Sequence, residues 1–77
     1  MNKVMFFAHL RDAVGEEFLS LELSGKTVAE AKELLREMFP VLKLDTVMTA
    51  LNEEFSGDDE VINDGDVIAF IPPVSGG

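Results

Sequence analysis

Chemistry in a short chain needs an acid, a base, a ligand or a reactive end, and this sequence offers few of them. His9 is the only histidine, and a lone histidine just past an apolar run reads as a surface or capping side chain rather than a catalyst. Asp58-Asp59-Glu60 could hold a divalent cation, but the spacing of a calcium loop is missing and an exposed acidic turn accounts for it. The glycines at 15, 25, 57 and 65 are isolated turn residues and form no phosphate-binding loop. What remains is the ending Phe70-Ile71-Pro72-Pro73-Val74-Ser75-Gly76-Gly77. Pro72 and Pro73 cannot donate to a β-ladder, and each holds φ near about −65°, so the chain must leave any sheet extended. Six residues from Pro72 at about 3 Å each reach roughly 18 Å. A tip without side chains on a stiff stalk can thread a narrow tunnel. Gly76 and Gly77, lacking β-carbons, leave that tip unobstructed. A disordered terminus that happens to end in glycines is the plain alternative at this point.

The tail needs a platform, and the pattern before it supplies one. Val4-Met5-Phe6-Phe7-Ala8 and Val67-Ile68-Ala69-Phe70-Ile71 are apolar on both faces, as interior strands are. They predict adjacent, parallel strands at 3–8 and 66–71. Between them, Leu19, Leu21 and Leu23 alternate with Ser20 and Glu22, the period of a half-buried strand over 18–23 that can pair with the first. Residues 9–17 predict a wide loop or one short helical turn. Thr27 and Glu30 have the spacing of a capping box. A helix over 27–39 follows, with Val28, Ala31, Leu35 and Met38 on its apolar side and Leu34 and Phe39 flanking, until Pro40 stops it. Val47 to Leu51 predicts a strand, Glu60-Val61-Ile62 a short one, and Asn63-Asp64-Gly65-Asp66 a tight turn with Gly65 in the left-handed conformation. One helix on one face of a mixed sheet is an α+β domain.

Size and charge narrow the function. Seventy-seven residues make one core. Apolar residues are 47% against 27% charged, enough to fold. With six Lys and Arg and a net charge of −9, the chain is a poor partner for nucleic acid, and a basic protein surface is the better match, although acidity also serves solubility. The first apolar run stops at His9-Leu10-Arg11-Asp12, too soon for a secretory signal, and no stretch is long enough for a membrane helix. The absence of cysteine suits a reducing cytoplasm.

The start Val4-Met5-Phe6-Phe7-Ala8-His9-Leu10-Arg11 with Gly15 four on, the segment Leu51-Asn52-Glu53, the turn Asp64-Gly65-Asp66 and the Pro72-to-Gly77 ending together resemble the small subunit of molybdopterin synthase over the full length. The ending alone is shared with other ubiquitin-like carriers, including the thiamine-pathway sulfur carrier and protein modifiers; the phenylalanine pair followed by Ala8 and Arg11 selects the member. Ser75 departs from the alanine most often found there, but it is small. The resemblance implies a ubiquitin-like β-grasp domain over residues 1–71 and an extended tail over 72–77. It implies that an ATP-dependent activating enzyme adenylates Gly77 and that sulfur replaces AMP. The thiocarboxylate then donates sulfur to cyclic pyranopterin monophosphate in the large subunit, building the molybdopterin dithiolene. The chain alone would be non-catalytic and would bind no cofactor or metal, ATP belonging to the activating enzyme. Its assembly would be a heterotetramer of two small and two large subunits. Partner contacts are implied at Phe7, Arg11, Phe55, Ile71, Pro72, Pro73, Val74 and Ser75, with Phe7, Phe55 and Ile71 in an apolar patch away from the helix. For Phe55, a satellite core position is the alternative. A lysine-conjugating modifier and a passive acidic interaction domain are the competing functions. The modifier would differ in its product, and the passive domain would tolerate loss of the tail.

Overall fold

Residues 1–44 and 46–73 are described by the computed structural model. The strands are β1 (Asn2–Phe6), β2 (Phe18–Leu21), β3 (Met48–Leu51), β4 (Glu54–Ser56) and β5 (Val67–Ile71), with helices α1 (His9–Val14) and α2 (Val28–Met38). They form one mixed sheet of order β2-β1-β5-β3-β4. β1 and β5 are central and parallel, pairing Val4 with Ile68 and Phe6 with Phe70, while the other pairs are antiparallel. This is the β-grasp arrangement expected from the sequence, with α2 across one face.

The helix starts as its cap dictates. The Glu30 N–H donates to Thr27 Oγ1 at 3.2 Å, and the Thr27 N–H donates back to Glu30 Oε1 at 2.9 Å. The two preceding orphan donors are satisfied by the crossing loop: the Val28 N–H bonds the Glu60 carbonyl and the Ala29 N–H the Asp58 carbonyl, both at 3.0 Å. Phe39 leaves helical geometry at φ −134°, as the residue before a proline must. The buried face of α2 is Val28, Ala31, Lys32 and Leu35. Met38, expected in that stripe, is instead 43% exposed in the final turn. Lys32 takes a place one turn beyond Val28, its chain packed inward and its Nζ donating to Asp58 Oδ1 at 2.8 Å.

Against that face lie Val4, Phe6, Ile68 and Phe70, joined by Leu10, Leu23, Leu42, Leu44 and Ile62. Phe6 and Phe70 stack at 6.2 Å between ring centroids. Fully burying each such side chain stabilises by about 1.5–3 kcal/mol. Leu10 enters the core from α1, so residues 9–14 form a six-residue helix capped by Gly15 at φ 84° rather than a loose loop. Asn2 is a buried polar staple. Its Nδ2 donates to the Asn63 and Asp66 carbonyls and its Oδ1 accepts from the Leu23 N–H, tying the start of β1 to the turn before β5.

Three sequence expectations need correction. Val61 makes a single bridge with Thr27 instead of a strand at 60–62. β2 ends at Leu21, although Leu23 still packs in the core. A strand not expected after Leu51 carries Phe55: Asn52 and Glu53 make a two-residue turn with φ of 52° and 70°, and β4 runs back along β3. Positive φ at both central residues is the twist-matched hairpin geometry usually marked by Asn-Gly, and the glutamate at 53 conceals that signal.

Candidate functional site

Strand alternation puts Val4, Phe6, Ile68 and Phe70 on the helix side, so Met5, Val67, Ala69 and Ile71 face the other way. The register sets Phe18, Met5, Ala69, Ala50 and Phe55 in one row across all five strands. Two alanines at its centre make a shallow floor between larger side chains. Phe7, Phe55, Ile71, Met5, Val67 and Glu53 complete the lining of this hollow with the alanines. Phe7 is 41% and Phe55 72% exposed. Among the described residues no helix covers this face, so the apolar second side of β1 and β5 meets solvent. Exposed apolar ground of this kind marks a contact surface.

Phe7, Phe55 and Ile71 therefore come together, with β5 delivering Ile71 at its last position and Pro72 and Pro73 following directly. Pro72 is half-buried and Pro73 exposed. Arg11 is exposed on α1 and does not line the hollow. Val74, Ser75, Gly76 and Gly77 lie outside the described residues. Ala8, at φ 54°, turns the chain from β1 into α1 directly after Phe7. Met5, Ala50, Val67 and Ala69 are lining residues that sequence reasoning did not single out. The signal was present in the odd-numbered positions of two strands that are apolar on both sides.

One end of the hollow is fixed by polar contacts. Asn52 Nδ2 donates to Asp66 Oδ1 at 2.8 Å, and Asn52 Oδ1 accepts the Val67 N–H at 2.9 Å. The Asn63 N–H donates to Asp66 Oδ2 at 2.9 Å. The Asn52 amide, with the Asn63 N–H, holds the Asp66 carboxyl below its ordinary range. At the same end, just before the start of β1, the Met1 amino group bonds Asp64, which raises the amine and lowers the carboxyl. Among the described residues no three His, Cys, Asp or Glu side chains converge as metal ligands, and Asp58 is engaged by Lys32. Among the described residues the geometry offers an open apolar hollow that ends beside Pro72 and Pro73, without an acid–base cleft.

The sequence matches the ThiS family over residues 4–77. The chain belongs to that family. A molybdopterin synthase sulfur carrier subunit from Arabidopsis thaliana is 38% identical over 78 residues, covering 97% of this chain and 81% of that protein. A Pyrococcus furiosus structure assigned as molybdopterin converting factor subunit 1 superposes with TM-score 0.85 at 30% identity, covering 95% of this chain and 97% of the other. The small archaeal modifier protein 1 of Methanosarcina acetivorans gives TM-score 0.83 at 29% identity, over 99% and 95%. Subunits 1 and 2 of the Helicobacter pylori molybdopterin-converting factor have been solved as a complex, in which the matching chain gives TM-score 0.64 at 29% identity, over 99% and 97%. In each of these four, 95% or more of this chain is matched. No helix among the described residues is long and apolar enough to cross a membrane.

Proposed function

We propose that this chain is the sulfur-carrying small subunit of a molybdopterin synthase and that its reactive group is the Gly77 carboxylate. The observation that carries this is the family match running through Gly77, in a chain whose Pro72-Pro73 stalk leaves the sheet beside the apolar hollow. A carboxylate is a poor electrophile, so an activating enzyme first joins it to AMP from ATP, releasing pyrophosphate. A sulfur donor at the sulfide level, acting as hydrosulfide, then attacks the acyl carbon, forming the C–S bond as the bond to AMP breaks, and leaves a thiocarboxylate. Its sulfur is ionised at neutral pH and is a good nucleophile, as a thiolate is. The large subunit receives the tail and directs that sulfur to cyclic pyranopterin monophosphate, two carrier deliveries supplying one dithiolene. Gly76 and Gly77 carry no side chain to obstruct either partner.

In this proposal the hollow is the docking face for the large subunit and the activating enzyme, anchored by Phe7, Phe55 and Ile71, with Arg11 adding a charge contact from α1. Pro72, Pro73, Val74 and Ser75 lie in the partner's channel. The assembly is a heterotetramer of two small and two large subunits, in a reducing cytoplasm. The likeness to an archaeal modifier protein favours one second reading, in which the same activated end is passed to a lysine. The product separates them: a thiocarboxylate with molybdopterin formation, or an isopeptide conjugate.

The test is molybdopterin formation by purified large subunit, activating enzyme, ATP, a sulfur donor and each carrier variant. Deleting Gly77 is expected to abolish the product with no change in melting temperature, since every core residue among the described residues precedes Pro72. Gly76→Val is expected to slow the reaction by crowding the channel. A Gly77 deletion that supported wild-type product formation would overturn the mechanism.

A further inference from the structure

The Asn52-Glu53 turn presents a conflict that its own stability does not resolve. Both residues adopt positive φ, and at the second position of such a turn glycine is the unstrained choice. A glutamate is held there at φ 70° instead. Non-glycine residues in this conformation persist where the surroundings over-determine them, often at contact sites. Here Asn52 does so, gripping the Asp66 carboxylate and the Val67 N–H from β5. Glu53 itself is exposed and has no hydrogen-bond or ion-pair partner among the described residues, yet it lines the apolar hollow beside Phe55. A carboxylate at the rim of an otherwise apolar surface adds nothing to this domain's own packing.

We infer that Glu53 is a specificity residue of the docking face, set to pair with an arginine or lysine that flanks the apolar anchor of the large subunit. This rests on the docking of the large subunit proposed above. The occupant's chemistry follows from charge: a chain carrying −9 is attracted to a basic rim, and a carboxylate beside the anchor orients that attraction. A rim pair acts mainly on association rate and is screened by salt, whereas the buried aromatic contacts govern dissociation.

The experiment measures association and dissociation of the large subunit with wild-type carrier and Glu53→Gln, Glu53→Lys, Glu53→Gly and Phe55→Ala variants, at low salt and at 0.5 M salt. Glu53→Gln keeps the backbone conformation and removes the charge, and is expected to slow association roughly fivefold at low salt, with the difference lost at high salt. Glu53→Lys should slow it further. Glu53→Gly should match Glu53→Gln in binding while raising the melting temperature, separating recognition from strain. If Phe55→Ala weakens binding while Glu53→Gln associates like wild type, the docking face stands and this role of Glu53 is overturned. If neither variant changes binding, both are overturned.

Discussion

Lys32 and Asp58 show how unequal the two halves of an ion pair can be. The lysine side chain is 10% exposed and the aspartate 66%. Removing the aspartate strands an ammonium under the helix, whereas removing the lysine leaves a carboxylate that water can solvate. Asp58→Ala is expected to cost about 1–2 kcal/mol, discounted from the value for fully buried pairs because Asp58 is exposed. Lys32→Met should be neutral within about 1 kcal/mol. Urea unfolding of both variants checks the asymmetry, and equal losses would contradict it. Asp66 yields a pH signature. Its carboxyl is held low by Asn52 and the Asn63 N–H, so its stabilising contribution is fully present above the unfolded aspartate pKa of about 3.9 and is lost as pH falls through the lower folded value. The stability gap between wild type and Asp66→Asn should be widest near neutrality and close in acid. Comparing the two proteins at each pH cancels the general relief of negative charge that protonation brings. A gap independent of pH would remove this role for Asp66.

At the scale of elements, α2 is held at its start by three different acceptors: the Thr27 hydroxyl and the Asp58 and Glu60 carbonyls. Thr27→Ala removes one of them and is expected to cost about 1 kcal/mol, lowering the melting temperature of a domain this size by about 4–8 °C. Thermal unfolding followed by circular dichroism tests it; no shift would mean that the crossing loop suffices. This cap was legible in the sequence because both partners sit within one turn. The central strands were legible because being apolar on both faces forces them inward. β4 was not, since its hairpin lacks the glycine that advertises a two-residue turn. Lys32 was hidden for a related reason: only the crossing loop, distant in sequence, supplies the aspartate that allows a lysine on the buried face. The core leucines at 42 and 44 follow no period, because they belong to a connecting segment rather than to an element.

Over the whole molecule, one face of the sheet makes the core and the other is left apolar and open among the described residues, ending beside Pro72 and Pro73. Phe7, Phe55 and Ile71 could be placed on that open face from sequence only through the family resemblance, because alternation in one strand does not reveal which surface a helix will cover. The hollow between them depends on Ala50 and Ala69 meeting across β3 and β5, a register that no local pattern specifies. The proposed function divides the labour: in it the domain provides the address and the tail provides the chemistry. It requires that the carrier gain sulfur at its last carboxylate and nowhere else, since the chain contains no cysteine. The most direct measurement is the intact mass of the protein after incubation with activating enzyme, ATP and a sulfur donor, with fragmentation to locate the change. The account predicts that one oxygen of Gly77 is replaced by sulfur, and that a chain extended beyond Gly77 shows no change. Sulfur gained by the extended chain, or found on any other residue, would contradict it.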